Sequence, residues 1–379
     1  MRSLKTAAGL TGALALVRQL LHRGPISSPV SSPPRGILDI HCHTAGIGHC
    51  GSGAWVSPSL RRSWKFPLYL KIFETSLKEL QERGDRDVLD KIAHRLRESH
   101  HVDEAVIIAM DAPYRASGEV DPSAGELFVC NRWLGETLKQ YPELHFGASV
   151  HPSRRDALEE LRWSKANGAV LVKWLPNIQA IDPSQESYRD YYRTLVELDL
   201  PLLTHVGAED SFSKADDRLG DPHLLRFPLE CGVRVIAAHV ASSGRTEGQL
   251  NIDRLLEMMP RYPNLMADIS TLTQVNRSHH LPKVLSDERL KGRLLFGTDH
   301  PLTNTPLVTA WQFLLRLKLS EVWEIAHTSN PWDRSVKLKA ALGVPPDVFR
   351  ASREFLKVKS PFSGDVSDFG PLATNRQHS

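Results

Sequence analysis

The sequence predicts a single α/β barrel in which eight parallel strands alternate with helices. From Gly36 onward, eight short apolar runs alternate with amphipathic or polar stretches. The runs are continuous in Val, Ile and Leu, which is typical of parallel strands that are buried on both faces. The first run lacks the glycine-rich turn that commonly follows the first strand of an open, doubly wound sheet. A closed (β/α)8 barrel, or TIM barrel, is therefore favoured over that alternative.

The predicted strands are short and end at turn residues. They lie at 36–40, 103–111, 144–152, 169–177, 201–207, 234–244, 264–271 and 293–301. The stretches between them are expected to be helical, including a region over 68–100 that breaks near Gly84 and a helix over 125–141. Helices after Pro301 are expected to complete the barrel.

Composition fits one globular domain with two less regular ends. Of the 379 residues 41% are hydrophobic and 24% are charged, and the formal net charge is +3. The basic residues are dispersed, which argues against a nucleic-acid-binding surface. We assign residues 36–356 to the barrel, residues 1–35 to a presequence and linker, and residues 357–379 to a polar tail.

The N-terminus leaves localisation open between two interpretations. Residues 1–23 combine basic residues with an apolar stretch that is too short to span a bilayer comfortably but resembles the core of a signal peptide. We expect a cytoplasmic protein, with export or membrane association through this segment as the alternative. The four cysteines form no Cys-x-x-Cys pair and suggest no disulfide framework, which fits a reducing compartment.

Six chemically active side chains lie at the carboxyl ends of predicted strands. The pair His41 and His43 is weak evidence by itself, because a chain with 17 histidines contains roughly one His-x-His by chance. Four more side chains end later strands, and these are Lys173, His205, His239 and Asp299. Because the carboxyl ends of barrel strands meet at one mouth, all six are expected to converge there.

The chemistry of this set predicts a divalent metal site. Imidazole nitrogens and carboxylate oxygens suit zinc and also manganese, iron and cobalt. Side chains two apart on a strand share a face, so His41 and His43 are expected to point into the barrel and Cys42 to pack outside it.

Lys173 is expected to point inward as well. A charged ammonium group is repelled by a metal ion, so Lys173 could be a ligand only after it loses its proton or after CO2 converts it into a carbamate. The alternatives are that it pairs with Asp299 or Glu209, or that it binds a carboxylate of the substrate.

The motifs resemble the amidohydrolase superfamily. The segments most similar to its amidohydrolase-related branch, also called amidohydrolase 2, are "ILDIHCHTAG", "THVG", "AAHVASSG", "FGTDHP" and "SNPWDRSVKL". The resemblance spans about residues 36–349 and implies a metal-dependent enzyme with one or two zinc ions per chain. The branch also contains decarboxylases, whereas the lysine is similar to that of the binuclear hydrolases of the superfamily.

The resemblance implies a set of six metal ligands, which are His41, His43, Lys173, His205, His239 and Asp299. The His-x-His pair and Asp299 would hold the more buried ion, and His205 and His239 the more exposed one. Carbamylated Lys173 and a hydroxide would bridge the two ions. Asp299 would act as the general base. If a single ion binds, His205 would join the first group, and His239 would act on water or substrate.

Four further residues are expected to contact the substrate, and these are Trp174, Asn177, His151 and Glu209. The loop 57–65 carries Arg61, Arg62 and Lys65, which would favour an acidic substrate if the loop folds over the mouth. A charge run is more commonly a solvated face.

The sequence therefore predicts a metal-dependent hydrolase of a small-molecule amide, ester or lactone. One alternative is a single-metal, non-oxidative decarboxylase of the same superfamily, and another is a barrel that serves as a binding module without catalysis. The expected partner is a small molecule, and self-association into a homo-oligomer is left open. The substrate depends on the loops at the mouth, which the sequence alone does not arrange in space.

Overall fold

The computed structural model describes residues 34–115, 117–209, 211–213 and 215–359. The expectations for the presequence up to residue 33 and for the polar tail from residue 360 lie outside the described residues. Among the residues that are described, no helix has both the length and the apolar character that crossing a membrane requires.

Eight parallel strands form the barrel, and each overlaps one of the predicted apolar runs. They are β1 (Ile37–His43), β2 (Val102–Ile108), β3 (Leu144–Ala148), β4 (Ala169–Trp174), β5 (Leu202–Thr204), β6 (Val235–Ala237), β7 (Leu265–Asp268) and β8 (Leu294–Leu295). They pair in chain order from β1 to β8. The fold class predicted from the alternating pattern is thereby confirmed.

Backbone hydrogen bonds between the first and last strands close the barrel. The amide of Ile40 donates to the carbonyl of Phe296 at 3.3 Å, and the amide of His43 donates to the carbonyl of His300 at 2.8 Å. The amide of Asp299 donates to the carbonyl of His41 at 2.8 Å. The chain that follows β8 is therefore fixed against the end of β1, where the candidate ligands lie.

The helices surround the barrel or cover its mouth. They are α1 (Pro58–Arg62), α2 (Lys65–Ile72), α3 (Leu77–Arg83), α4 (Arg86–Arg97), α5 (Asn131–Leu138), α6 (Ala157–Ala166), α7 (Pro176–Gln179), α8 (Arg189–Glu197), α9 (Arg226–Glu230), α10 (Asn251–Met258), α11 (Leu281–Ser286), α12 (Leu319–Ala326), α13 (Pro331–Ala341) and α14 (Pro346–Leu356). The region over 68–100 breaks at Gly84 as predicted, since this glycine has a φ of 78°.

The prediction of a helix over 125–141 is wrong in its first half. Leu127–Phe128 is a short strand that pairs antiparallel with Trp55–Val56, and the helix begins only at Asn131. The loop after β1 supplies the pairing partner. This long-range contact overrides the local helical preference of the segment.

Two hydrophobic cores hold the barrel together. The inner core fills the barrel and includes Leu38, Ile40, Val106, Ile108, Leu171, Leu203, Ile236 and Leu295. The outer core lies between strands and helices and contains both Cys42 and Trp174. Helix α14 covers the end of the barrel away from the site, because Leu356 joins the inner core and Ser352 Oγ accepts a hydrogen bond from the amide of Phe296 at 2.9 Å.

Candidate metal centre

The ends of β1 and β8 bring three candidate ligands together at the floor of a cavity. Asp299 Oδ1 lies 3.1 Å from Nε2 of His43 and 3.3 Å from Nε2 of His41. All three side chains line the cavity, and one donor atom from each lies within 4.8 Å of the others. The group therefore presents two imidazole nitrogens and one carboxylate oxygen to a common point.

A β-bulge in β1 aims both histidines into the barrel. Ile40 already points into the inner core, so strict alternation would turn His41 outward. The pairing of β1 with β2 shifts register between Asp39 and Cys42, and such a shift changes the face on which the following side chains lie. His41 and His43 consequently face the cavity, whereas Cys42 packs in the outer core.

Asp268, at the end of β7, holds His41 from behind. Its Oδ2 lies 2.9 Å from Nδ1 of His41, and its Oδ1 accepts a hydrogen bond from the amide of His239 at 2.9 Å. A carboxylate that accepts the Nδ1 proton leaves the lone pair of Nε2 facing the cavity, as is usual for metal-binding histidines. Asp268 is not among the residues expected at the site from the sequence. Its place at the carboxyl end of a strand was the signal that could have identified it.

His239 is positioned by a left-handed turn directly after β6. Its φ is 57° and that of Val240 is 52°, values that residues other than glycine rarely adopt. Nδ1 of His239 lies 2.7 Å from Oγ of Ser270, and its Nε2 lies 3.8 Å from Oδ2 of Asp299. Asp299 has a φ of 59°, so two of the candidate ligands sit on strained backbone, as is common at functional sites.

Lys173 points into the barrel from β4, and its Nζ lies 3.0 Å from Nε2 of His41. Burial lowers the pKa of Lys173 to about 8, against the attraction of the carboxylates of Asp299, Asp268 and Glu209. The lysine therefore competes with any cation for the cavity-facing nitrogen of His41.

His205 lies at the edge of this cluster. Its ring centroid is 5.4 Å from that of His239, and its Nδ1 lies 3.5 Å from Oε2 of Glu209. It lines the cavity. Within the described part of the chain, two groups have donor atoms within 4.8 Å of one another, His41 with His43 and Asp299, and His41 with His239 and Asp268, and His205 belongs to neither. The structure thus places all six expected ligands around one cavity, with His205 the least closely joined.

The protonation states suit a metal site. Burial lowers the pKa of His41, His205 and His239, so these imidazoles are neutral near pH 7. Burial alone would raise the pKa of Asp299, but the attraction of His41 and His239 in their protonated form and a hydrogen bond with His43 hold it well below its usual value. Neutral imidazoles and an ionised carboxylate are the forms that bind a divalent ion, so the residues present fit such an ion.

Trp174, expected to contact the substrate, lies outside the barrel. It follows Lys173 on β4, and because Lys173 points inward, Trp174 points outward. Its Nε1 donates to the carbonyl of Val150 at 2.8 Å, and its ring packs against Tyr191. The side chain belongs to the outer core and does not line the cavity.

Asn177 and His151 are also held in loop contacts away from the cavity. Asn177 Nδ2 donates to the carbonyl of Gly207 at 3.0 Å, and His151 Nε2 lies 2.9 Å from the carbonyl oxygen of Gln179. Of the four residues expected to contact substrate, Glu209 is the one that lines the cavity.

The loop 57–65 borders the cavity, but not through its basic residues. Leu60 lines the cavity, while Arg61 and Arg62 are exposed. Arg61 Nη2 donates to the carbonyl of Ile47 at 2.9 Å. The interpretation that this loop selects an acidic substrate therefore loses its basis.

Comparisons with known proteins agree with this geometry. The amidohydrolase family model matches residues 107–331, which is more than half of the chain. The chain belongs to the amidohydrolase family. This amidohydrolase is therefore an enzyme of the superfamily that the motifs indicated, and it has His and Asp groups that could bind the metal on which the family generally depends. No curated protein sequence matches it.

Solved structures are similar to this amidohydrolase in fold at low sequence identity. The 5-carboxyvanillate decarboxylase from Sphingomonas paucimobilis is 10% identical, with 86% of this chain and 100% of that chain covered and a TM-score of 0.50. An uncharacterised TIM-barrel protein from Bordetella bronchiseptica is 14% identical, with coverages of 80% and 99% and a TM-score of 0.48. A putative 2-pyrone-4,6-dicarboxylic acid hydrolase from Pseudomonas putida is also 14% identical, with coverages of 85% and 97% and a TM-score of 0.47.

Proposed function

We propose that this amidohydrolase is a metal-dependent hydrolase that cleaves an amide, ester or lactone bond of a small molecule. One observation carries the proposal. Two imidazole nitrogens, from His41 and His43, meet one oxygen of Asp299 at 3.1–3.3 Å on the floor of an open cavity. The cavity is open to solvent at its mouth, so a small molecule can approach the cluster from there.

His41, His43 and Asp299 would hold the first divalent ion, and His205 and His239 would hold a second. We propose zinc, because neutral imidazole and carboxylate suit this ion. A divalent ion in this place supplies Lewis acidity, which polarises a carbonyl oxygen and makes water a better nucleophile near neutral pH.

Asp299 is proposed as the general base because its two oxygens have different surroundings. Oδ1 faces the paired histidines, whereas Oδ2 lies 3.8 Å from Nε2 of His239. The carboxylate stays ionised because the neighbouring imidazoles lower its pKa. Oδ2 can therefore accept a proton from attacking water and return it to the leaving group, while His239 orients the reacting groups.

Lys173 is proposed to act as a carbamate. Burial lowers its pKa to about 8, so a fraction of the amine is neutral near neutral pH and can attack CO2. The ammonium first loses one proton. The neutral nitrogen then forms a bond to the carbon of CO2 and a second proton is released to solvent, so the side chain changes from a cation into an anion. The change replaces a competitor for Nε2 of His41 with a group that can itself bind metal.

A panel of neutral esters, lactones and amides, offered to the zinc-loaded protein, tests the proposed reaction. We expect hydrolysis by the native protein, a loss of at least about 100-fold in kcat for Asp299→Asn, and no change for His94→Ala, which alters an exposed side chain. The single-metal decarboxylase alternative predicts instead that a carboxylated substrate releases CO2 and that no neutral compound is hydrolysed. An inactive but metal-loaded protein across both panels would favour the binding-module alternative.

A further inference from the structure

The cavity above the candidate metal centre has a polar floor and an apolar wall. The floor consists of the candidate ligands and Glu209. Side chains of the wall include Leu60, Phe66, Leu70, Phe73, Leu127 and Phe212. A ligand that reaches the floor must therefore lie along hydrocarbon surface over the rest of its length.

The segment α1–α2, between β1 and β2, builds most of this wall. Phe66, Leu70 and Phe73 recur at helical spacing and all line the cavity. Tyr69 Oη donates to the carbonyl of Ser211 at 2.6 Å, which ties α2 to the loop after β5. This hydrogen bond links the wall to the loop after β5, which also lines the cavity.

Among the described residues, the wall carries no lysine or arginine that could pair with a charged substrate. Among the described residues that line the cavity, Lys173 is the one lysine or arginine, and its Nζ already contacts His41. Arg277 does not line the cavity, and its Nη1 donates to Oγ1 of Thr271 at 3.4 Å. A carboxylate placed along the wall would lose its hydration without gaining a partner.

We propose that the substrate is an uncharged molecule that carries an apolar alkyl or aryl group next to the bond that is cleaved. The identity of the cleaved bond rests on the proposed function, whereas the apolar group rests on the wall alone. Moving one methylene from water onto such a wall is expected to raise kcat/KM about three- to fourfold.

The test compares p-nitrophenyl esters of increasing chain length, from acetate to octanoate, on the zinc-loaded protein. We expect kcat/KM to rise about three- to fourfold per methylene up to at least hexanoate. The glutarate monoester has as many carbon atoms in its acyl group as the valerate ester, but a carboxylate in place of the terminal methyl group. We expect kcat/KM of the valerate ester to exceed that of the glutarate monoester by at least about tenfold. Equal rates along the series, or a preference for the glutarate monoester, would overturn the proposal.

A pair of variants tests whether the dependence on chain length arises at the apolar wall. Leu127 is partly buried at the cavity wall, and Leu127→Lys is expected to flatten the dependence on chain length and to favour the glutarate monoester. Val196 is 46% exposed on α8, and Val196→Lys is expected to behave as the native protein does. If Leu127→Lys kept the native chain-length profile, the wall would not be the binding surface.

Binding of N-phenyl-1-naphthylamine, a neutral apolar fluorophore, separates this proposal from the proposed reaction. Saturable binding that decanol displaces and that Leu127→Lys weakens supports the apolar site, even if no ester is hydrolysed and the proposed reaction fails. Ester hydrolysis without such binding would leave the reaction standing and overturn the apolar substrate class.

Discussion

Oδ2 of Asp268 lies 2.9 Å from Nδ1 of His41, on the side of the imidazole away from the cavity. The carboxylate fixes both the orientation of the ring and the nitrogen that carries the proton, so Nε2 presents its lone pair to the candidate metal site. Oδ1 of Asp268 also accepts a hydrogen bond from the amide of His239 at 2.9 Å. One side chain on β7 thereby orients candidate ligands from β1 and from the turn after β6.

Replacement of this carboxylate should weaken metal binding without removing a ligand. For Asp268→Asn we expect the affinity for zinc to fall about 10- to 100-fold, because the neutral amide no longer fixes the proton on Nδ1 of His41. The affinity is measured by competition with a chromophoric chelator. Asp190→Asn alters an exposed carboxylate on α8 and should leave the affinity unchanged. Native affinity in Asp268→Asn would show that ring orientation does not depend on this contact.

Removal of the amine of Lys173 should show whether this side chain acts as a carbamate. If Lys173 is a carbamate, Lys173→Ala should lose about one of two bound ions and most activity, and a short carboxylic acid such as propionate should restore part of the activity. Intact mass spectrometry under CO2 should show an added 44 Da, the mass of one CO2, on the native chain only. Full activity of Lys173→Ala in CO2-depleted buffer would contradict a bridging role.

Sequence reasoning located the strands well because buried parallel strands are continuous apolar runs with a polar residue at the end. It also placed His41 and His43 on the cavity side. The bulge between Asp39 and Cys42 that makes this possible could not be read from the sequence, because it depends on how β1 pairs with β2. Strict alternation from Ile40 would have turned His41 away from the cavity.

The residues expected to contact the substrate were predicted less well, because the direction of their side chains also depends on tertiary packing. Trp174 follows Lys173 on β4, and alternation along the strand turns its side chain away from the cavity. Asn177 lies four residues after Lys173, and its hydrogen bond to Gly207 holds it away from the cavity. The apolar wall comes from α1–α2, a segment whose basic residues suggested a contact with substrate and whose Leu and Phe residues gave no such signal. Which side of a short helix faces a cavity is decided by tertiary packing.

The hydrogen bonds of Asp39 should stabilise the end of β1. Thr298 Oγ1 donates to Oδ2 of Asp39 at 2.5 Å, and Trp332 Nε1 donates to the same oxygen at 2.9 Å. For Thr298→Val we expect the free energy of unfolding to fall by about 1–3 kcal/mol, because a buried carboxylate loses a donor. Thr298→Ser keeps the hydroxyl and should lose less than about 1 kcal/mol. Equal losses in urea denaturation of the two variants would contradict the role of the hydroxyl.

The buried Lys339 on α13 should give stability a specific pH dependence. Its Nζ donates to Ser335 Oγ at 2.8 Å and lies 5.3 Å from the centroid of the Phe296 ring, and burial lowers its pKa to about 8. In the unfolded chain the pKa of this lysine is near 10.5. Between pH 8 and 10.5 the unfolded chain therefore keeps the proton of Lys339, whereas the folded protein has released it. The contribution of Lys339 to the free energy of unfolding therefore rises with pH between pH 8 and 10.5, by about 3 kcal/mol in total.

Comparison with Lys339→Met isolates this contribution. The difference in unfolding free energy between native protein and variant, from urea denaturation at pH 7.5, 9 and 10.5, should shift in favour of the native protein as the pH rises. Other titrating groups are common to both proteins and cancel. A difference that stays constant, or that shifts towards the variant, would show that Lys339 is not held in an environment that disfavours its charge.

Metal content is the most direct test of the proposed centre. Protein purified without a histidine tag, loaded with zinc and freed of excess ion, is analysed by inductively coupled plasma mass spectrometry together with the variants His41→Ala/His43→Ala and His94→Ala. We predict one or two ions per chain in the native protein and in His94→Ala, and loss of at least one ion and of all turnover in the double variant. Unchanged metal content and activity in the double variant would contradict the proposal that β1 and β8 build the metal centre.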